Sequence, residues 1–265
     1  TLSVAWLLTS CDQDSSPTPD YQDVQGAAVK GPLINASVSA YLLDTSAANL
    51  RGELVALGST DTNAQLQLEI ASDWASQGPF LLEFSHGSEI DGGLPEIETL
   101  TTLLTNQQLI DETPVYATPL SSFAIEYAAK IADRSEQTGE PVTTGLTGNG
   151  DNMLSLEEFN AALTTASTII RNTLGLGILD PEIDLFSTSP IIAAGTSNQE
   201  TLALRTANEV FAAIIIQLKN ELSGSAISGS SLLERLAEDF TDGNFNKNSI
   251  DGVITELSAI NDIVA

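Results

Sequence analysis

Pro119-Leu120-Ser121-Ser122-Phe123-Ala124-Ile125-Glu126-Tyr127-Ala128-Ala129-Lys130-Ile131 is the stretch where the apolar period changes from two to 3.6. Behind Pro119, the residues Leu120, Phe123, Ala124, Tyr127, Ala128 and Ile131 recur on one helical face. Upstream the pattern belongs to strands. Val38, Ala40 and Leu42 alternate with Ser37, Ser39 and Tyr41, and the runs 65–70 and 80–84 repeat that spacing. Turn chemistry separates the runs at Gly31-Pro32, Asp44-Thr45-Ser46, Thr60-Asp61-Thr62-Asn63 and Gln77-Gly78-Pro79. Residues 100–118 read as two more short extended pieces, with Pro114 and Pro119 opposing a continuous helix.

Downstream, Leu156, Phe159, Leu163, Ala166, Ile170 and Leu174 line a helix that stops at Gly175. Ala203, Ala207, Val210, Phe211, Ile214, Leu218 and Leu222 line the next long one. Two shorter amphipathic pieces follow, around Leu232, Leu233, Leu236 and Phe240 and around Val253, Leu257 and Ile260. The last is expected to run to Ala265 without a cap, which suggests truncation there. Val210–Ile216 is the longest apolar run of this half, too short to span a bilayer and expected in the core. The expected fold class is α+β, an antiparallel β-sandwich over 27–118 followed by an all-α helical bundle over 119–265.

Composition excludes more than it assigns. The chain has 265 residues, 36 acids against 9 bases, and a formal charge of −27, divided as 16 acids and 2 bases up to residue 118 and 20 and 7 beyond it. Nine scattered bases cannot displace counterions from a phosphate backbone, so nucleic acid is excluded as a partner. One Cys and one His exclude intramolecular disulfides, CxxC sites and two-histidine zinc sites. A Ser-His-Asp triad would depend on His86, which lies in Phe84-Ser85-His86-Gly87-Ser88 and reads as a loop histidine at a strand end; the chain has no G-x-S-x-G elbow.

The chain opens on Thr1, and Leu2-Ser3-Val4-Ala5-Trp6-Leu7-Leu8 reads as the tail of a short apolar export segment whose start lies upstream. It ends in Leu8-Thr9-Ser10-Cys11, and the polar run 12–20 begins immediately after the only cysteine. This boundary resembles the lipobox of bacterial lipoproteins. The resemblance implies that residues 1–11 contain the remnant of a signal peptide and that Cys11 is diacylated and becomes the mature N-terminus. It also implies the membrane as a partner through that lipid anchor, with residues 12–26 as a flexible linker. Asp12 resembles the inner-membrane retention residue of enterobacterial lipoproteins, a rule other bacteria need not follow. Inner and outer membrane both stay open, with the domain facing periplasm or exterior.

A second resemblance rests on Val29-Lys30-Gly31-Pro32-Leu33-Ile34-Asn35-Ala36-Ser37-Val38 and Ser59-Thr60-Asp61-Thr62-Asn63-Ala64-Gln65-Leu66. These segments resemble the carboxypeptidase-regulatory-like, transthyretin-like β-sandwich of bacterial surface lipoproteins, with Ala64 and Leu66 replacing that pattern's glycine and aromatic. The resemblance implies a non-catalytic adaptor or binding module.

Two loops have the composition of a calcium site. Glu89, Asp91, Glu96 and Glu98 crowd a Gly-rich loop. Residues 147–158 resemble an EF-hand loop, with Asn149, Asp151 and Glu158 as its metal ligands, Leu154 at the apolar position and Thr147 in place of the first aspartate. Ser155 and Glu158 also satisfy a capping box, which needs no metal. In Asp239-Phe240-Thr241-Asp242-Gly243-Asn244-Phe245-Asn246 the expected feature is a helix end capped by Gly243.

The expected function is a membrane-anchored envelope lipoprotein acting as a non-enzymatic binding or structural module, with an envelope protein or polysaccharide as further partner. A calcium-dependent adhesion or sensor protein is the second reading. The third is a carboxylate-dependent hydrolase, for which the sequence names no pair of acids.

Overall fold

Six strands pair into one antiparallel sheet. Its strands are β1 (Tyr21–Val24), β4 (Ser37–Leu43), β5 (Arg51–Thr60), β6 (Leu66–Ala71), β7 (Phe80–Ser85) and β9 (Thr99–Leu104), in the spatial order β1-β6-β5-β4-β7-β9. Three shorter ladders pair β2 (Gly26–Ala28) with β10 (Val115–Ala117), β3 (Leu33–Ile34) with β8 (Ser88–Glu89), and β11 (Asn248–Ser249) with β12 (Gly252–Val253). The helices are α1 (Ser72–Ala75), α2 (Asn106–Ile110), α3 (Pro119–Thr138), α4 (Leu156–Thr173), α5 (Gln199–Glu221) and α6 (Gly229–Asp239). This computed structural model describes residues 20–138, 151, 153–222, 227–249, 252–258 and 260. The chain is mixed α+β.

The expected strands at 37–42, 65–70 and 80–84 are present as β4, β6 and β7. In β6, Leu66, Leu68 and Ile70 are buried while Gln67 and Glu69 face solvent. Strand β5 carries no comparable alternation, and Leu54 and Leu57 are exposed on it, so only its pairing with β4 and β6 reveals it. Between the two extended pieces expected in 100–118 stands α2, opened by a capping box of Thr105 and Gln108.

The helices follow the apolar stripes. Pro119 begins α3, where a missing N–H costs no internal bond. The Leu120 N–H is satisfied by Asn208 Oδ1 of α5 at 3.0 Å, and the Asn208 amide donates to the Leu204 carbonyl at 3.0 Å. A buried asparagine thus ties two helices together at one end. Helix α5 is long and apolar enough to cross a membrane by length and composition, and 44% of its most apolar window is buried. Phe211, Ala212 and Ile215 face the core, while Val210 is 37% exposed, so the apolar run 210–216 is divided between core and surface.

The C-terminal expectation needs correction. Val253, Leu257 and Ile260 do not share a helix: β11 and β12 form a hairpin and one 3₁₀ turn covers Thr255–Leu257. The stripe is broken from within, because Ile254 is extended at φ −84°, ψ 102° and Val253 pairs in β12. Leu257 and Ile260 remain buried, and Val253 is exposed.

Sheet and helices share a continuous core, which runs from Ile70 and Phe84 through Leu100 to Phe123, Phe159 and Phe211. The edge strand β9 is closed by serines. Ser122 Oγ accepts the Thr101 N–H at 2.8 Å, Ser121 Oγ donates to the Thr101 carbonyl at 2.8 Å, and Ser230 Oγ accepts the Thr99 N–H at 2.9 Å. An edge that would otherwise expose unpaired backbone groups is covered by α3 and α6. Gly229 permits this approach, since a Cβ there would lie 2.1 Å from the Glu96 carbonyl oxygen.

Candidate functional site

Cys11 and Asn149 lie outside the described residues. Asp151 Oδ1 accepts the Met153 N–H at 2.8 Å. Ser155 and Glu158 form the capping box of α4: Glu158 Oε2 accepts the Ser155 N–H at 2.9 Å and its hydroxyl at 2.7 Å, and Ser155 Oγ accepts the Glu158 N–H at 3.2 Å. The Gly-rich acidic loop is drawn apart into ion pairs. Glu89 meets Lys30 at 2.5 Å, while Glu96 and Glu98 share Lys219 at 3.0 and 2.9 Å. Asp91 accepts the Gly93 N–H at 3.1 Å. Among the described residues no group of three or more His, Cys, Asp or Glu side chains is arranged to hold a metal ion.

His86 sits in the loop between β7 and β8, with Nδ1 2.8 Å from Ser85 Oγ. At the end of α6, Gly243 takes the left-handed conformation at φ +87° and closes the turn. Asp239 in this segment is fully buried. Its Oδ1 accepts the Asn246 N–H at 3.2 Å, and burial pushes its carboxyl up to about 6 against the pull of backbone N–H groups from residues 246–248. It organises the 243–248 loop from beneath.

Two of the concavities among the described residues stand out, and neither was announced by the sequence. The first is a polar cleft of about 230 Å³ between the sheet and helices α3 and α6. Register places Glu83 of β7 opposite Thr101 of β9 and Ser85 opposite Thr99, so Glu83, Thr99 and Thr101 share the face turned to this cleft. Ser122, Ile125 and Glu126 line it from α3, Ser230, Ser231 and Glu234 from α6, and Arg51 from β5. Arg51 holds Glu83 at 2.5 Å and lies over the Tyr41 ring at 5.7 Å. Lys130 stands 3.7 Å from Glu234.

Glu126 has no such partner: no hydrogen bond or ion pair with the described residues reaches its carboxyl. Burial pushes it up to about 7, with the nearby Glu234 and Glu83 adding to the rise and Lys130 and Arg51 opposing it. The folded state therefore holds this proton more tightly than the unfolded chain does. The stability this contributes is complete below about pH 4.5 and is lost as the pH rises through about 7. Glu126→Gln keeps the shape and removes the charge. Its melting temperature should exceed that of the wild type at pH 8 and match it at pH 4; equal melting temperatures at pH 8 would refute the buried charge. A signal for this site was present in the sequence, since Glu126 interrupts Ile125 and Tyr127 and Glu83 interrupts Leu82 and Phe84. A charged residue set inside an apolar run marks a buried acid as readily as a surface face.

The second concavity is apolar, with a volume of about 630 Å³, and lies between the C-terminal end of α4, α5, α6 and the 243–246 loop. Leu174, Val210, Phe211, Ile214, Leu218, Leu236, Phe240 and Phe245 line it, with Thr173, Asn244 and Asn246 supplying the polar groups. Its aromatic wall is fixed by packing: Phe240 stacks on Phe245 at 4.5 Å, and Phe123 meets Phe211 edge-on at 5.0 Å. Leu176 and Val210 are partly exposed.

The chain matches no family model, and no curated protein or solved structure is significantly similar to it.

Proposed function

We propose that this protein is a lipid-anchored lipoprotein of the bacterial envelope, tethered through acylated Cys11, whose folded part is a non-enzymatic binding module. In this reading residues 27–118 are a sandwich-like adaptor half and 119–265 a helical half, a division supported by the change of apolar period at Pro119. The observation that carries the binding role is the apolar cavity among α4, α5 and α6. Its volume falls in the range of small-molecule sites, and its lining is mostly aliphatic and aromatic with a few polar groups, the chemistry that retains a hydrocarbon chain or fused ring. The asparagines among its lining residues carry no charge, and the acidity of the chain opposes an anionic ligand, so a neutral apolar molecule suits it best.

N-phenyl-1-naphthylamine, a neutral apolar fluorophore, should bind the wild type saturably with a rise in emission. Val210→Trp fills the cavity from a partly exposed position that tolerates bulk, and should abolish the rise while the protein stays folded. An unsaturable signal, or an equal one in the variant, would contradict the proposal.

A further inference from the structure

The charges of the polar cleft do not balance. Three carboxylates face it, and two have their own cation: Glu83 is held by Arg51 of β5 at 2.5 Å, and Glu234 of α6 by Lys130 of α3 at 3.7 Å. Glu126 is left over, in a part-buried position where an uncompensated charge is costly. A second group in the same cleft lacks a partner independently of charge, since Thr101 Oγ1 is buried and makes no hydrogen bond. Buried polar atoms are nearly always satisfied, so an orphan beside an unpaired acid points to a partner of complementary chemistry. Ser122, Ser230 and Ser231 complete the lining with further hydroxyls.

We propose that this cleft binds a ring-sized polyhydroxylated molecule carrying one primary ammonium, the chemistry of an amino sugar, with the ammonium on Glu126 and a hydroxyl on Thr101, whose side chain turns about its Cα–Cβ bond to bring Oγ1 out into the cleft. The missing positive charge comes from the ligand. An ammonium against the carboxylate forms a charge-assisted hydrogen bond, and sugar hydroxyls can both donate to and accept from Thr101 and the serines. The space of about 230 Å³ suits one ring and excludes an oligomer from the cleft itself. A net charge of −27 concentrates cations near the surface and favours the amino sugar over its neutral counterpart before any contact forms. The site is separate from the apolar cavity and does not depend on it.

Ligand binding also moves a proton. The acid that faces Glu234, Lys130, Arg51 and Glu83 is mostly protonated near pH 6, and an arriving ammonium favours its ionised form. Binding at pH 6 should release a proton, whose heat changes with the ionisation enthalpy of the buffer.

Calorimetric titration with glucosamine and with glucose tests the proposal, because the two differ only in the amino group. Glucosamine should bind the wild type at least tenfold more tightly than glucose at pH 7.5. Glu126→Gln should reduce glucosamine to the level of glucose while melting no lower than the wild type, and Thr101→Val should weaken both sugars. Equal affinities for the two sugars, no heat from either, or unchanged glucosamine binding in folded Glu126→Gln would overturn it.

Discussion

Phe123→Ala is expected to cost about 3–5 kcal/mol of folding stability, the range for deleting a fully buried aromatic side chain. Phe123 has no exposed surface and touches rings on three sides: Tyr127 at 6.1 Å on its own helix, Phe211 at 5.0 Å on α5, and Phe240 and Phe245 at 6.1 and 6.2 Å. Removing it leaves a void beside an existing cavity, whose wall loses support at Phe211, Phe240 and Phe245. Neighbours already bounded by empty space on one side gain little by collapsing into it. Urea unfolding followed by far-ultraviolet circular dichroism and by fluorescence of Trp74, which packs on the core beside β6, should give one shifted transition by both probes. A loss below 1 kcal/mol would contradict the aromatic core, and a helical signal that shifts alone would contradict the continuity of that core with the sheet.

The sheet was legible where one face is buried. In β4 and β6 the apolar residues alternate because solvent lies on the other side, whereas β5 hides because both of its faces are partly exposed and its apolar residues are spread over both. The long helices were legible because a wide stripe must face the core, and the capping pair Ser155–Glu158 marks the start of α4 in sequence, as Thr105–Gln108 marks that of the short α2. The hairpin after residue 247 was illegible because Val253, Leu257 and Ile260 have helical spacing, and strand pairing at Val253 with extended backbone at Ile254 overrides it.

The sites were less legible than the fold for a physical reason. Calcium-like composition at Glu89, Asp91, Glu96 and Glu98 depended on these acids converging, and distant lysines pair three of them instead: Lys30 is 59 residues from Glu89, and Lys219 is 121 from Glu98. The polar cleft joins residues 51, 83, 101, 126 and 234, a set that no local motif can encode. Charge pairing across such separations is a property of the fold. What sequence can show is the anomaly of a lone acid in an apolar stripe, as at Glu126.

The anchor is the claim on which the cellular role rests. Buried acyl chains contribute about 0.8 kcal/mol per CH₂ group, so two chains hold a protein at a bilayer where one alone is marginal. Cys11 is the only cysteine, and no other position can accept a thioether-linked diacylglycerol. The protein expressed from its complete reading frame in a bacterial host should incorporate radiolabelled palmitate and fractionate with membranes, and Cys11→Ser should lose both properties entirely. Wild-type protein that carries no label, or a Cys11→Ser variant that retains it, would contradict the account.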